Sequence, residues 1–281
     1  MPALRTIALT MAAMLAFAAN SILCRLALSQ RAIDPASFGS LRLMSGALTL
    51  ALVLRLRAKP AGAPARSDWL AAAMLFAYVA CFSFAYLSLS AGTGALVLFG
   101  AVQITMLGAG WYAGESLGAR GWSGFALAVL GFAGLVAPGV NAPAPAGAAL
   151  MAVAGVAWGI YSLRGRGVAD PLAATAGNFL RAAPLALALS LALAMSAHIN
   201  TQGALLAVAS GAVTSGLGYV IWYAALPGLG ALRAATVQLS VPLIAALGGV
   251  LFMGETASLR LVLAGAAILG GIALVLLNKR R

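Results

Sequence analysis

Aromatic and uncharged polar side chains recur at helical spacing inside otherwise apolar stretches of this 281-residue chain. Tyr78 and Phe82 stand four apart, as do Phe99 and Gln103; Trp158 and Tyr161 stand three apart; Tyr219, Trp222 and Tyr223 fall at i, i+3 and i+4. Each set shares one face of a helix. Asn20 and Gln238 add two more uncharged hydrogen-bonding groups. Such groups do no covalent chemistry. They make a surface on which a flat, partly polar molecule stacks and is oriented by a few hydrogen bonds. With Tyr223 set aside, these are the candidate substrate-binding residues. The same residue types also serve packing: Asn20, Gln103 and Gln238 can bond across helices, each worth about 0.6 kcal/mol. Trp69, Trp111, Trp122 and Tyr223 suit the aromatic belt where a membrane meets water.

Catalytic constellations are missing from the sequence. The five acids, Asp34, Asp68, Glu115, Asp170 and Glu255, all flank apolar segments, and the single histidine, His198, sits in a polar break. Cys24 and Cys81 lie within apolar runs at no metal-ligand spacing. There is no Gly-rich Lys loop to cradle a nucleotide phosphate. These features predict no enzyme site, metal, cofactor or ATP-driven step. Arg25, Arg42 and Arg181 fall inside or at the edges of apolar runs, where a long side chain snorkels to the headgroups. If one of them attracts a substrate carboxylate, Arg181, about ten residues into its run, is the choice.

The elements that must position these groups are transmembrane helices. The chain is 63% hydrophobic and 8% charged, with a mean hydropathy of +1.03, far beyond what a soluble domain carries. Apolar runs over 6–28, 36–56, 69–90, 92–112, 121–138, 147–164, 172–197, 203–226, 231–253 and 258–277 each approach the length of a bilayer span. Between them stand Gly-, Pro- and Asx-rich breaks such as KPAGAPARSD (59–68) and PGVNAPAPAG (138–147). The net charge of +12 is concentrated in particular connections, so it indicates topology and not nucleic acid. Arg55, Arg57, Lys59, Arg66, Arg164, Arg166 and the tail Lys279-Arg280-Arg281 are placed in the cytoplasm, and with ten spans both termini are there too. The start, MPALRTIALTMAAMLAFAAN, is read as an uncleaved first helix.

The chain also repeats itself. Gly114-Glu115 recurs as Gly254-Glu255, Arg120 as Arg260, GTGAL (92–96) as GLGAL (228–232), and Asp34-Pro35 as Asp170-Pro171. Residues 1–140 and 141–281 are therefore two five-helix halves, and an odd helix count inverts the second relative to the first. Two halves of opposite orientation can rock about a central site. Gly110 with Gly114, and Gly155 with Gly159, are spaced four apart for close helix contact.

Two such halves, each with an apolar helix ending in Gly-Glu before a Gly- and Ala-rich last helix, resemble the EamA-type proteins of the drug/metabolite transporter superfamily. SVPLIAALGGVLFMGETAS (240–258) carries the likeness most clearly, whereas AVQITMLGAGWYAGES (101–116) departs from it, with Gln103 where the second half has Leu243. Within the family the chain looks most like exporters of aromatic amino acids. The resemblance implies a multi-pass protein of the bacterial inner membrane that moves amino acids and related small metabolites out of the cytoplasm, without a nucleic-acid or obligatory protein partner. A drug or nucleotide-sugar transporter of the same superfamily is the alternative, followed by a lipid-modifying membrane enzyme and a scaffold. With no acid inside a span to carry a proton, movement is expected to be facilitated.

Overall fold

The computed structural model describes residues 2–57, 68–114, 118–139, 142–165, 168–229 and 237–278. Lys59, Arg66, Glu115, Arg166, the GAL of the second GLGAL motif and the basic tail lie outside them. Among the described residues the fold is all helical. The helices are α1 (Pro2–Ser29), α2 (Pro35–Arg55), α3 (Trp69–Ala85), α4 (Ala91–Tyr112), α5 (Ala119–Val136), α6 (Pro145–Arg164), α7 (Pro171–Ala192), α8 (Thr201–Ala225), α9 (Ser240–Met253) and α10 (Leu259–Asn278). Seven are long and apolar enough to cross a membrane; α3, α9 and α10 are shorter apolar helices. One isolated antiparallel bridge, Ile33 with Ile199, joins two connections.

Local chemistry sets the ends. Asp34 and Asp170 each precede a proline and each caps its helix, Asp34 Oδ1 accepting from the Ser37 amide at 2.9 Å and Asp170 Oδ1 from Ala173 at 3.1 Å. The repeated Asp-Pro is thus a repeated helix start. The repeated glycine of Gly-Glu is a repeated helix stop: Gly114 and Gly254 follow α4 and α9 with φ of +85° and +65°, a conformation costly for any residue with a Cβ. Gly114 has open space around it and makes no helix contact, contrary to expectation. Gly155 and Gly159 do hold α6 close to α4: a Cβ on Gly155 would lie 2.6 Å from the Leu98 carbonyl oxygen, and one on Gly159 2.9 Å from Thr105.

Two helices stop short of their apolar runs. α3 ends at Ala85, not 90, because Ser90 turns out to cap α4, accepting from the Thr93 amide. α7 ends at Ala192, not 197, and a single 3₁₀ turn, Ala194–Ser196, leads to Asn200, which caps α8 by accepting from Gly203 at 2.8 Å. Within α8, Ser210–Leu217 form a wider π-type turn, a feature associated with functional sites. Packing is arranged in matching sets: α3 lies on α6 and α8 on α1, α4 on α6 and α9 on α1, while α2 meets α7, α4 meets α9 and α5 meets α10.

Candidate functional site

Residues of α1, α2, α3, α4, α6, α7 and α8, with Gln238, enclose a cavity of about 720 Å³. It begins deep in the bundle at Ser21, Arg42 and Phe82 and reaches Asp68, Arg164 and Pro171 at the helix ends, which form its mouth. Trp158 is the middle of its aromatic wall. The Trp158 ring lies 4.8 Å from Tyr78 and stacks on Tyr161 at 5.2 Å and on Tyr219 at 5.7 Å, with interplanar angles of 26° and 22°. Phe82 and Phe17 extend the wall, against Tyr78 at 5.3 Å and Tyr219 at 5.8 Å. Offset and tilted rings at these separations attract one another and hold the wall in place.

Nine of the ten residues singled out by type and spacing line this cavity: Asn20, Tyr78, Phe82, Phe99, Trp158, Tyr161, Tyr219, Trp222 and Gln238. Gln103 does not. It is buried one helical turn beyond Phe99, outside the lining. Tyr223, assigned to the membrane interface, lines the cavity and shares a 2.8 Å hydrogen bond with Thr175. Trp69, Trp111 and Trp122 are exposed on the helix surface, where an interfacial ring belongs.

The polar lining centres on a residue that sequence reading sent to the headgroups. Arg42 does not snorkel; it is 1% exposed. Its Nε donates to Ser215 Oγ at 3.2 Å and its Nη2 to the Tyr78 hydroxyl at 3.0 Å, and its guanidinium carbon lies 5.1 Å from the ring centres of both Tyr78 and Phe82. Asn20 braces the same group, donating to the Tyr78 hydroxyl at 3.4 Å while accepting from Ser210 at 2.6 Å and Thr214 at 3.3 Å. The π-type turn of α8 supplies Ser210, Thr214 and Ser215. Arg181, the choice from sequence if one of the three arginines attracts a substrate carboxylate, is outside the cavity: it donates to the Gly177 carbonyl at 3.2 Å and lies over the Trp69 ring at 5.5 Å. A signal for Arg42 was present in α2. Gly39, Ser45 and Gly46 share its face, whereas Met44, Leu48 and Leu52, spaced by four, are exposed on another.

The end opposite the mouth is sealed. Both oxygens of the Glu255 carboxylate accept from the Ala91 amide, at 2.8 and 3.1 Å, at the first turn of α4, where the helix dipole favours an anion. Arg25 donates to the same carboxylate at 3.3 Å and to the Tyr86 carbonyl at 2.9 Å, so it is not free to reach headgroups. Nearby, Asp34 joins the connection that follows α7. Its amide donates to the His198 carbonyl at 2.9 Å, its Oδ2 accepts from the His198 amide at 3.1 Å, and the Asn200 amide donates to the Ala32 carbonyl at 2.9 Å. Burial by itself raises the Asp34 carboxyl, but the hydrogen bonds from Ser37 and His198 outweigh it and hold the group below the ordinary carboxylate range. At the mouth, contacts are ion pairs between side chains: Arg57 with Asp170 at 2.7 Å and Arg164 with Asp68.

A helical bundle with most of its helices long enough to span a bilayer, closed at one end around a ring-lined cavity, is the framework of a small-molecule transporter. Similarity to known proteins gives the family. Residues 145–277 match the model of the EamA-like transporter family, and the chain belongs to that family. It is 57% identical over 278 residues to the uncharacterized protein PA1977 of Pseudomonas aeruginosa, covering 98% of this chain and 96% of that one. It also has the fold of a solved crystal structure, with a TM-score of 0.69 at 22% identity over 98% of both chains.

Proposed function

We propose that this protein exports aromatic and other apolar amino acids, with related small metabolites, from the bacterial cytoplasm by alternating access. The observation that carries this reading is the Tyr78–Trp158–Tyr219 wall facing a cavity whose polar lining centres on Arg42 and Asn20, which suits a flat apolar side chain and a small polar head. The matching helix contacts, the paired Asp caps and the paired glycine stops support two inverted five-helix halves, 1–140 and 141–281, as the moving bodies. Arg55, Arg57 and Arg164 at the mouth end support a cytoplasmic mouth and a sealed periplasmic end. The four described acids are all engaged at helix ends, in keeping with facilitated movement.

The test is counterflow of labelled amino acids in proteoliposomes. Tryptophan, phenylalanine and tyrosine should exchange, and Trp158→Ala should slow exchange while leaving membrane insertion intact. Pure facilitation predicts no accumulation above equilibrium when a proton or sodium gradient is imposed alone. Inactivity toward every amino acid by correctly folded protein would refute the export reading.

A further inference from the structure

Among the described residues, two buried side-chain polar atoms lack a hydrogen-bond partner, Arg42 Nη1 and Asn178 Oδ1. Both residues line the cavity. One is a cationic donor, the other a neutral acceptor. We infer that Arg42 Nη1 is the anchor for a substrate carboxylate and Asn178 Oδ1 the acceptor for its ammonium, so that the cavity selects zwitterions by their head group. This rests on the transport reading above and goes further, because the aromatic wall by itself does not distinguish an amino acid from an amine or a neutral indole.

The charge inventory supports the assignment. Asp34 is used by Ser37 and His198, Asp68 by Arg164, Asp170 by Arg57 and Glu255 by Arg25 and Ala91. None of these four pairs with Arg42. A guanidinium taken out of water without a counter-ion is strongly disfavoured unless other groups replace its hydration. Ser215, the Tyr78 hydroxyl and the two aromatic faces do so on the Nε and Nη2 side. They also fix the orientation of the planar fork, and Nη1 is the nitrogen of it that is buried without a partner among the described residues. Asn178 stands on α7, next to Phe179, whose ring sits against Gly46 of α2, one turn on from Arg42. The unfilled donor and the unfilled acceptor thus come from adjoining helices that share one cavity.

The experiment is equilibrium dialysis of the purified full chain against matched ligands on two scaffolds: tryptophan, indole-3-propionate and tryptamine, and leucine, 4-methylpentanoate and isoamylamine. In the unaltered protein each amino acid should bind best and each amine worst. Arg42→Gln should weaken tryptophan and indole-3-propionate about tenfold to a hundredfold, the scale of a charge-assisted hydrogen bond, while tryptamine binds as well or better. A merely structural role would weaken all three alike. Arg42→Lys, which keeps the charge but not the fork, should fall between, and it decides the question if Arg42→Gln does not fold. Asn178→Leu should weaken tryptophan but leave indole-3-propionate unchanged. If only the leucine set shows the carboxylate preference and its loss in the Arg42 variants, the head-group assignment stands and the aromatic side-chain reading fails. If amines match carboxylates, or if no ligand of either set binds, the assignment is overturned.

Discussion

At the sealed end, the connection ahead of α2 is joined to the one following α7 by backbone hydrogen bonds, and Glu255 is held by a backbone amide and a partly buried arginine. At the mouth, the N-terminus of α7 meets the connection following α2 through one exposed side chain, Arg57, and α3 meets α6 through the exposed pair Arg164 and Asp68. The α2 and α7 ends meet on both sides, by backbone hydrogen bonds at one and by an ion pair at the other. Backbone bonds between the connections do not depend on ionic strength, while an ion pair between largely exposed side chains, such as Arg164 with Asp68, is worth about 0–1 kcal/mol and weakens in salt. In this structure the Asp68–Arg164 end is the open one, and on the alternating-access reading proposed above the sealed end is the one that must be broken for the cavity to empty on the other side.

The largest expected effect comes from removing the Glu255 charge. Glu255→Gln takes the counter-charge from Arg25 and the anion from the start of α4, a loss of about 1–3 kcal/mol for a charged hydrogen-bonded group. Cys24, fully buried on α1 beside Arg25 in the chain, reports it. In a Cys81→Ala background Cys24 should be protected from a membrane-impermeant maleimide applied at the sealed side, and should react in Glu255→Gln. Continued protection would show that the seal does not depend on this carboxylate.

Next is Gly203→Ala, because a Cβ there would run into the Ala32 carbonyl beside the Ile33–Ile199 bridge. Overpacking of this kind costs about 1–3 kcal/mol, so the unfolding temperature in detergent should fall and Cys24 labelling should rise. An alanine tolerated with no change in either would mean that the two connections do not need such close approach.

The Asp34 prediction concerns pH and is smaller. Its carboxyl is held below its ordinary value, so its contribution is fully present above the unfolded value of about 3.9 and is lost only as pH falls through the lower folded value. Between pH 5 and 8 no change in the seal should trace to Asp34: Asp34→Asn should weaken protection of Cys24 by the same factor throughout that range. A factor that grows steadily from pH 5 to 8 would contradict the depressed value. The smallest effect belongs to the mouth. Arg164→Ala should change the unfolding free energy by no more than about 1 kcal/mol at low salt, and by less at high salt. A larger loss that persists in salt would erase the contrast between the two ends.

The helices and their starts could be read from one dimension, because an apolar run interrupted by Asp-Pro or Gly-Glu states both a span and its limit. Residue type and helical spacing were legible too, and nine ring and amide residues chosen on them line one cavity. Facing was legible only in part. Arg42 and Arg181 look alike as single cations in apolar runs; the small residues on the Arg42 face of α2 set it apart, but the packing of α2 against α8 and of Arg181 over Trp69 could not be read from the sequence. Gln103 failed in the opposite sense, being deep enough but turned off the cavity surface. The early ends of α3 and α7 were hidden because residues in a turn near the membrane surface can be as apolar as the helix they follow.

The wide turn in α8 has a consequence for how this protein tolerates change. Each residue of an α-helix advances the side chains by about 100°, so Tyr219 and Trp222, which follow Ser210–Leu217, owe their compass bearing to the number of residues in that turn. Deleting one residue there would remove no charge and no ring, yet it would alter the π-type turn that sets how both rings meet Trp158 and Phe17. In this stretch, therefore, the number of residues bears on the cavity wall as well as their identity.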